Sequence, residues 1–489
     1  MSRLTDTLHR LRRIQRLAGV KPPIAFRKVL LFAVSLAASL VVVLLLLRGS
    51  SLSQEAGYMA GIFVLAALLW ATEALPLFAT AILIIALEII LLANPGGWSG
   101  LGFADGRSPN YQVFLDPLAN PVIVLFFGGF LLAHAILKEG VDKAMAGAIL
   151  SLFGRSPQRV MLGLMLITAA FSMWMSNTAT TAMMITLTVP MLSQIPPGDP
   201  LRKGLLLSVP FAANIGGMGT PIASPPNAVA VSFLREAGYQ ISFLQWVLIA
   251  TPLMAGLLLF TWWLLSRFYA PRQEVRFAPP PAEPMNGRDW YVVGVLVTTI
   301  GLWLTEGWHG LSTAVVALLP AVAFTATGLL TRRDVNSLEW HILILIMGGI
   351  ALGVGMQRTG LDQVFVSLIP SQGGVVLGAM VVATLLFSTF ISNTAAANLL
   401  LPIGIAFAAG TTDADSPSAI VLAVSIALAA SLAMSLPVST PPNTIAYSQG
   451  QLTTGDFIRP GIVIGIVAVL LIVLLGDEVV GFWMEENVE

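Results

Sequence analysis

The chain has no cysteine, only four histidines, and few charges: 10% of its 489 residues. Without cysteine there is no disulfide, no thiolate metal site and no cysteine nucleophile. With so little charge and 56% hydrophobic residues, the chain cannot cover a soluble surface, and an all-α polytopic membrane protein is expected. Four stretches, 160–198, 204–234, 363–412 and 416–455, hold no Asp, Glu, His, Lys or Arg at all. An enzyme working there would lack an acid–base pair and a metal cluster, so no enzymatic activity is expected. The ten-residue alternation of a membrane barrel is also missing.

What is present is a succession of apolar runs near 29–48, 57–71, 76–93, 121–137, 241–266, 290–305, 310–330, 341–356 and 460–480. The first follows a basic segment and lacks a small-residue cleavage site, so an uncleaved leading helix is expected. With the N-terminus cytoplasmic and the runs crossing alternately, 21 of the 25 Lys and Arg residues fall inside, leaving Arg48, Arg107, Arg235 and Arg358 outside. That asymmetry predicts an odd number of crossings and an external C-terminus.

The small polar residues in the charge-free stretches are duplicated. Ser176-Asn177-Thr178 precedes Ser224-Pro225-Pro226-Asn227 by the spacing that separates Ser392-Asn393-Thr394 from Thr440-Pro441-Pro442-Asn443, and the copies are displaced by 216 residues. Trp70-Ala71-Thr72-Glu73 and Trp303-Leu304-Thr305-Glu306 match in the same order. An odd crossing count makes these inverted repeats. The expected organisation is a cytoplasmic segment and first helix over 1–56, a first repeat over 57–267, a Pro- and Arg-rich cytoplasmic linker over 268–288, and a second repeat over 289–489. Each repeat carries a re-entrant hairpin (158–192, 372–409) and an unwound helix (215–227, 434–443), giving about eleven transmembrane helices. The Pro-Pro pairs are expected to do part of the unwinding.

Broken backbone at membrane depth survives only against protein or a watery cavity. Helix N-termini there suit an anion, and hydroxyl and amide groups add donors without fixed charge. Unwound carbonyls and Asn oxygens are neutral ligands suited to an alkali cation. A site built twice fits an anion charged at both ends, such as a small dicarboxylate.

At these residues the chain resembles the divalent anion/sodium symporter family, the INDY-type carriers. The likeness covers almost the whole chain and includes Phe171 to Thr180, Ser392-Asn393-Thr394-Ala395, Ala397 to Pro402 and both Pro-Pro-Asn turns. The resemblance implies a multi-pass protein of a bacterial inner membrane that works as a homodimer. A mobile domain would carry a C4-dicarboxylate such as succinate, malate or fumarate by an elevator movement, with Na+ as coupling ion. It implies a first sodium site at Ser172, Ser176, Asn177 and Gly219, and a second at Ser388, Ile391, Asn393 and Ser435. Substrate would be lined by Asn177, Thr178, Thr220, Ser392, Asn393, Thr394 and Pro437. Its partners would be the dianion and the lipid bilayer, with no nucleic acid. The motif is also compatible with a sodium-independent exchanger, or with a citrate or sulfate carrier, and helix-end sites also occur in anion channels. Glu73 and Glu306 read as structural helix-end residues; Glu88 is left open between structural and functional.

Overall fold

A computed structural model describes residues 26–49, 52–278, 284–367, 373–411 and 416–485. The cytoplasmic placement expected for 1–25, and for 279–283 of the linker, lies outside the described residues, as do 412–415 and residues 368–372 at the entry to the second hairpin.

Among the described residues the regular secondary structure is all helical. In order the helices are α1 (Phe26–Gly49), α2 (Gln54–Thr72), α3 (Leu77–Glu88), α4 (Pro121–Glu139), α5 (Val141–Ser151), α6 (Pro157–Ser172), α7 (Asn177–Leu192), α8 (Leu201–Gly216), α9 (Pro225–Glu236), α10 (Phe243–Phe268) and α11 (Gly287–Leu304). There follow α12 (Glu306–His309), α13 (Thr313–Val316), α14 (Leu318–Ala326), α15 (Arg332–Asn336), α16 (Trp340–Thr359), α17 (Leu361–Ser367), α18 (Gly373–Phe390), α19 (Asn393–Gly410), α20 (Ala419–Ser431), α21 (Pro441–Tyr447) and α22 (Thr454–Glu485). Among the described residues seven of these are long and apolar enough to cross a membrane. Four shorter apolar helices, Leu77–Ala93, Thr313–Ala326, Val375–Phe390 and Ala419–Ser431, bring the molecule to a polytopic bundle.

Helices α8 and α9 are parted by a non-helical stretch, as are α20 and α21. The sequence leads one to expect the Pro-Pro pairs to unwind helix there, but the structure uses them otherwise. Pro225-Pro226 and Pro441-Pro442 occupy the first turns of α9 and α21. A first-turn N–H has no helical acceptor, so proline costs nothing there. The unwinding lies upstream, at 217–224 and 432–440.

Around this centre the remaining helices form an apolar frame. Trp70 and Trp303, both fully buried, donate their indole N–H groups to the carbonyls of Leu77 (3.2 Å) and Thr313 (3.0 Å), so the matched Trp-x-Thr-Glu blocks pin the turns that follow α2 and α11. Trp303 also stacks on Phe243 at 5.1 Å and on Trp174 at 6.5 Å, joining α11 to α10 and to the bend after α6. Glu88 is 0% exposed in α3, with Gly355 of α16 close against it and, among the described residues, no hydrogen bond to either carboxyl oxygen.

Candidate functional site

The first hairpin is α6, a bend, and α7; the second is α18, a bend, and α19. In both, the bend ends on a serine that begins the next helix. Ser176 and Ser392 share the same extended backbone, φ −62° and ψ 139°, and each hydroxyl accepts the amide of the third residue on, Ala179 or Ala395, at 3.3 Å. Such N-caps satisfy one orphan amide and leave others of the first turn directed outward. Ser176, Asn177, Thr178, Ser392 and Asn393 are all half-buried.

Behind each tip three oxygens converge. Ser172 Oγ lies 2.5 Å from Asn177 Oδ1 and 2.8 Å from the Ala213 carbonyl. Ser388 Oγ lies 2.7 Å from Asn393 Oδ1 and 2.6 Å from the Ala430 carbonyl. A hydroxyl has one proton, so it donates to only one of its two neighbours. With the amide oxygens turned toward the serines as they stand, the other contact sets two oxygens side by side, an arrangement that a cation would relieve. Both serines are 0% exposed, and all three oxygens of each set are neutral and hard, the chemistry that suits an alkali ion. The residues present therefore fit sodium.

The unwound stretches are held by the Pro-Pro-Asn asparagines. Asn227 Nδ2 donates to the carbonyls of Gly217 (2.9 Å) and Thr220 (2.8 Å), and Asn443 Nδ2 to those of Met434 (2.9 Å) and Leu436 (2.9 Å). Trp246 takes the Met218 carbonyl at 3.1 Å. The sequence leads one to expect unwound carbonyls as cation ligands; each of these five accepts one side-chain donor, and a carbonyl oxygen has two lone pairs. The carbonyls that face the serine–asparagine pairs come instead from Ala213 and Ala430, near the ends of α8 and α20. An alanine carbonyl leaves no trace in a sequence pattern.

Gly219 is buried in the first unwound stretch against Met173, the neighbour of Ser172. Thr220, fully buried, donates its hydroxyl to the Met173 carbonyl at 2.5 Å. In the second repeat the equivalent carbonyl, of Thr389, is taken by Ser439 at 2.9 Å. Ser435 is half-buried beside Gly461 of α22, and Ile391 precedes the second tip. Pro437 is buried, with its carbonyl accepting the Thr444 hydroxyl at 2.9 Å. Thr394 is 7% exposed within the first turn of α19. Gly217 touches Asn177 closely: a Cβ there would fall 2.5 Å from Nδ2 and 2.7 Å from Oδ1.

Two serine-capped helix starts and two breaks between helices sit in an apolar, polytopic helical frame, the fold of an integral membrane protein. The chain belongs to the sodium:sulfate symporter family, the divalent anion/sodium symporters, whose transmembrane region matches residues 27–484. It is 30% identical to an uncharacterized transporter of Schizosaccharomyces pombe over 86% of its length and 49% of the relative's. It is also 30% identical to the inorganic phosphate transporter PHO87 of Saccharomyces cerevisiae, over 84% of its length and 45% of the relative's. The chain thus spans about half the length of these two. The sodium-dependent dicarboxylate transporter SdcS of Staphylococcus saprophyticus is 29% identical over 89% of this chain and 88% of its own. In fold the chain is similar to the Alcanivorax borkumensis YdaH transporter, with TM-score 0.55 and 14% identity over 86% of this chain and 98% of that one.

Proposed function

We propose that the protein is a sodium-coupled symporter of a divalent organic anion, a C4-dicarboxylate such as succinate, malate or fumarate. The observation that carries this reading is the pair of serine–asparagine–carbonyl oxygen sets directly behind two capped helix N-termini. Sodium binds at Ser172, Ser176, Asn177 and Gly219, joined by the Ala213 carbonyl, and at Ser388, Ile391, Asn393 and Ser435, joined by the Ala430 carbonyl. The dianion lies between the tips, against Asn177, Thr178, Thr220, Ser392, Asn393, Thr394 and Pro437. Asn177 and Asn393 belong to both sets, which gives coupling a physical basis: an amide oriented by a cation presents its N–H groups to the anion. Two negative charges at membrane depth, with no Lys or Arg in the hairpin tips, need offset. Helix N-termini supply part and the cations most of the remainder.

Transport then proceeds by an elevator movement of the hairpins and interrupted helices against the surrounding frame, in a homodimer. The basic asymmetry supports a cytoplasmic N-terminus and external C-terminus, in a bacterial inner membrane. Phosphate is the second reading for the substrate, favoured by the likeness to PHO87. A thermal-shift panel of succinate, malate, fumarate, citrate, sulfate and phosphate, with sodium or choline as cation, tests both, because a ligand of the folded state raises its stability. A sodium-dependent shift largest with C4-dicarboxylates is expected. A shift with phosphate alone selects the second reading, and shifts indifferent to sodium overturn coupling.

A further inference from the structure

The two repeats touch across the centre through paired contacts, and one pair is unequal. Asn214 follows Ala213 as Ser431 follows Ala430, while Ser224 and Asn227 correspond to Thr440 and Asn443. On one side Asn214, 1% exposed, donates through Nδ2 to Thr440 Oγ1 at 3.1 Å and to Asn443 Oδ1 at 3.3 Å. On the other side a serine stands in place of the asparagine. Ser431 Oγ lies 3.3 Å from Ser224 Oγ and 3.4 Å from the Ala427 carbonyl of its own helix, and Asn227 Oδ1 has no hydrogen-bond partner among the described residues although the residue is 0% exposed.

That bare oxygen cannot be removed by reversing the amide. Asn227 Nδ2 donates to two carbonyls, Gly217 and Thr220, and a turned amide would set an acceptor against both. Buried acceptors are rarely left unpaired, and each exception calls for an explanation. Here the internal symmetry supplies it. The spot that meets the partial positive charge of Asn214 in one half meets only a shorter hydroxyl in the other. By correspondence with Asn214, Thr440 and Asn443 of the opposite contact, the oxygens of Ser431, Ser224 and Asn227 border this spot, and all three are neutral and hard. They suit a monovalent ion better than a divalent one.

We infer that Ser224 Oγ, Ser431 Oγ and Asn227 Oδ1 form a third sodium site, in which the ion replaces the amide that Asn214 supplies to the opposite repeat. The inference rests on the sodium-coupled reading above and extends it. An ion there ties the first unwound stretch, through Asn227, to the end of α20, so that occupancy in one repeat is felt by the backbone of the other.

Ser431→Asn tests the site because it restores the amide. Labelled sodium binding to purified protein at saturation is expected to give one ion fewer per chain in Ser431→Asn than in the wild type, with the variant melting at or above the wild-type temperature in sodium-free buffer. Equal ion counts in two folded proteins overturn the site and leave water as its occupant. Ser431→Ala keeps the space and removes one oxygen. It is expected to bind the same ions with the weakest isotherm step shifted about tenfold, as the loss of one ligand worth about one decade implies, and an unshifted isotherm overturns the inference. A wild type that binds no sodium at all overturns the coupled reading itself, a result distinct from either.

Discussion

The Ser172 hydroxyl sits 2.5 Å from the amide oxygen of Asn177, across the bend of the first hairpin, with the Ala213 carbonyl 2.8 Å away on its other side. Ser172→Ala is expected to raise the sodium concentration for half-maximal uptake about tenfold, the loss of one oxygen ligand of ~1.4 kcal/mol, with expression unchanged. Ser388→Ala should do the same at the second hairpin. Asn177→Ala or Asn393→Ala, which removes a ligand of both cation and anion, should abolish uptake. Near-normal uptake by either asparagine variant contradicts the site.

Gly217→Ala tests how closely the unwound backbone must approach the hairpin tip. The added methyl would lie 2.5 Å from Asn177 Nδ2, well inside van der Waals contact, so the amide must swing away from Ser172. Uptake is expected to fall by at least tenfold, while a volume change of one methyl elsewhere in a core costs about 1–3 kcal/mol of stability. Wild-type kinetics in a sodium titration would show that Asn177 does not need its observed place.

Glu88→Gln separates structure from coupling. Among the described residues both carboxyl oxygens are without hydrogen bonds, buried beside Gly355 and remote in sequence from either tip. An isosteric neutral amide should leave sodium-driven uptake and its pH profile as in the wild type. A variant that loses uptake, or whose pH dependence moves, would make Glu88 a transport residue.

The sequence carried the class of this protein openly. Scarce charge and long apolar runs require a helical membrane protein, and the paired Ser-Asn-Thr and Pro-Pro-Asn phrases point to its family. Less of the site was legible, for physical reasons. Ala213 and Ala430 act through backbone carbonyls, which every residue has, so nothing distinguishes them in a pattern. The Pro-Pro pairs looked like helix breakers and prove to be helix starters, because proline's missing N–H harms only helix interiors. Asn214 and Asn227 were visible as polar residues in apolar runs, but their partners lie on other helices, and the inequality of Asn214 with Ser431 appears only once the repeats face each other.

Outside the membrane spans, Asp334 in α15 is anchored by Lys138 Nζ at 2.7 Å and by His134 Nε2 at 3.3 Å, both from α4. The Lys138 hydrogen bond, followed by those from Thr331, holds its carboxyl well below the ordinary carboxylate range. A carboxyl with a depressed folded pKa contributes stability that is present above its unfolded pKa, about 3.9, and lost as pH falls toward the folded value. Lys138→Met is therefore expected to melt below the wild type at pH 7, with the gap closing under strong acid. A gap that stays constant from pH 7 to pH 3 would assign Lys138 a packing role only.

Uptake by protein reconstituted into liposomes, with labelled succinate outside, tests sodium symport most directly. An inward sodium gradient should drive its accumulation above equilibrium, and with more than two sodium ions carried per dianion an inside-negative potential should increase it further. A proton gradient alone should drive none. Accumulation on a proton gradient without sodium, or uptake that requires only internal dicarboxylate, would contradict sodium symport.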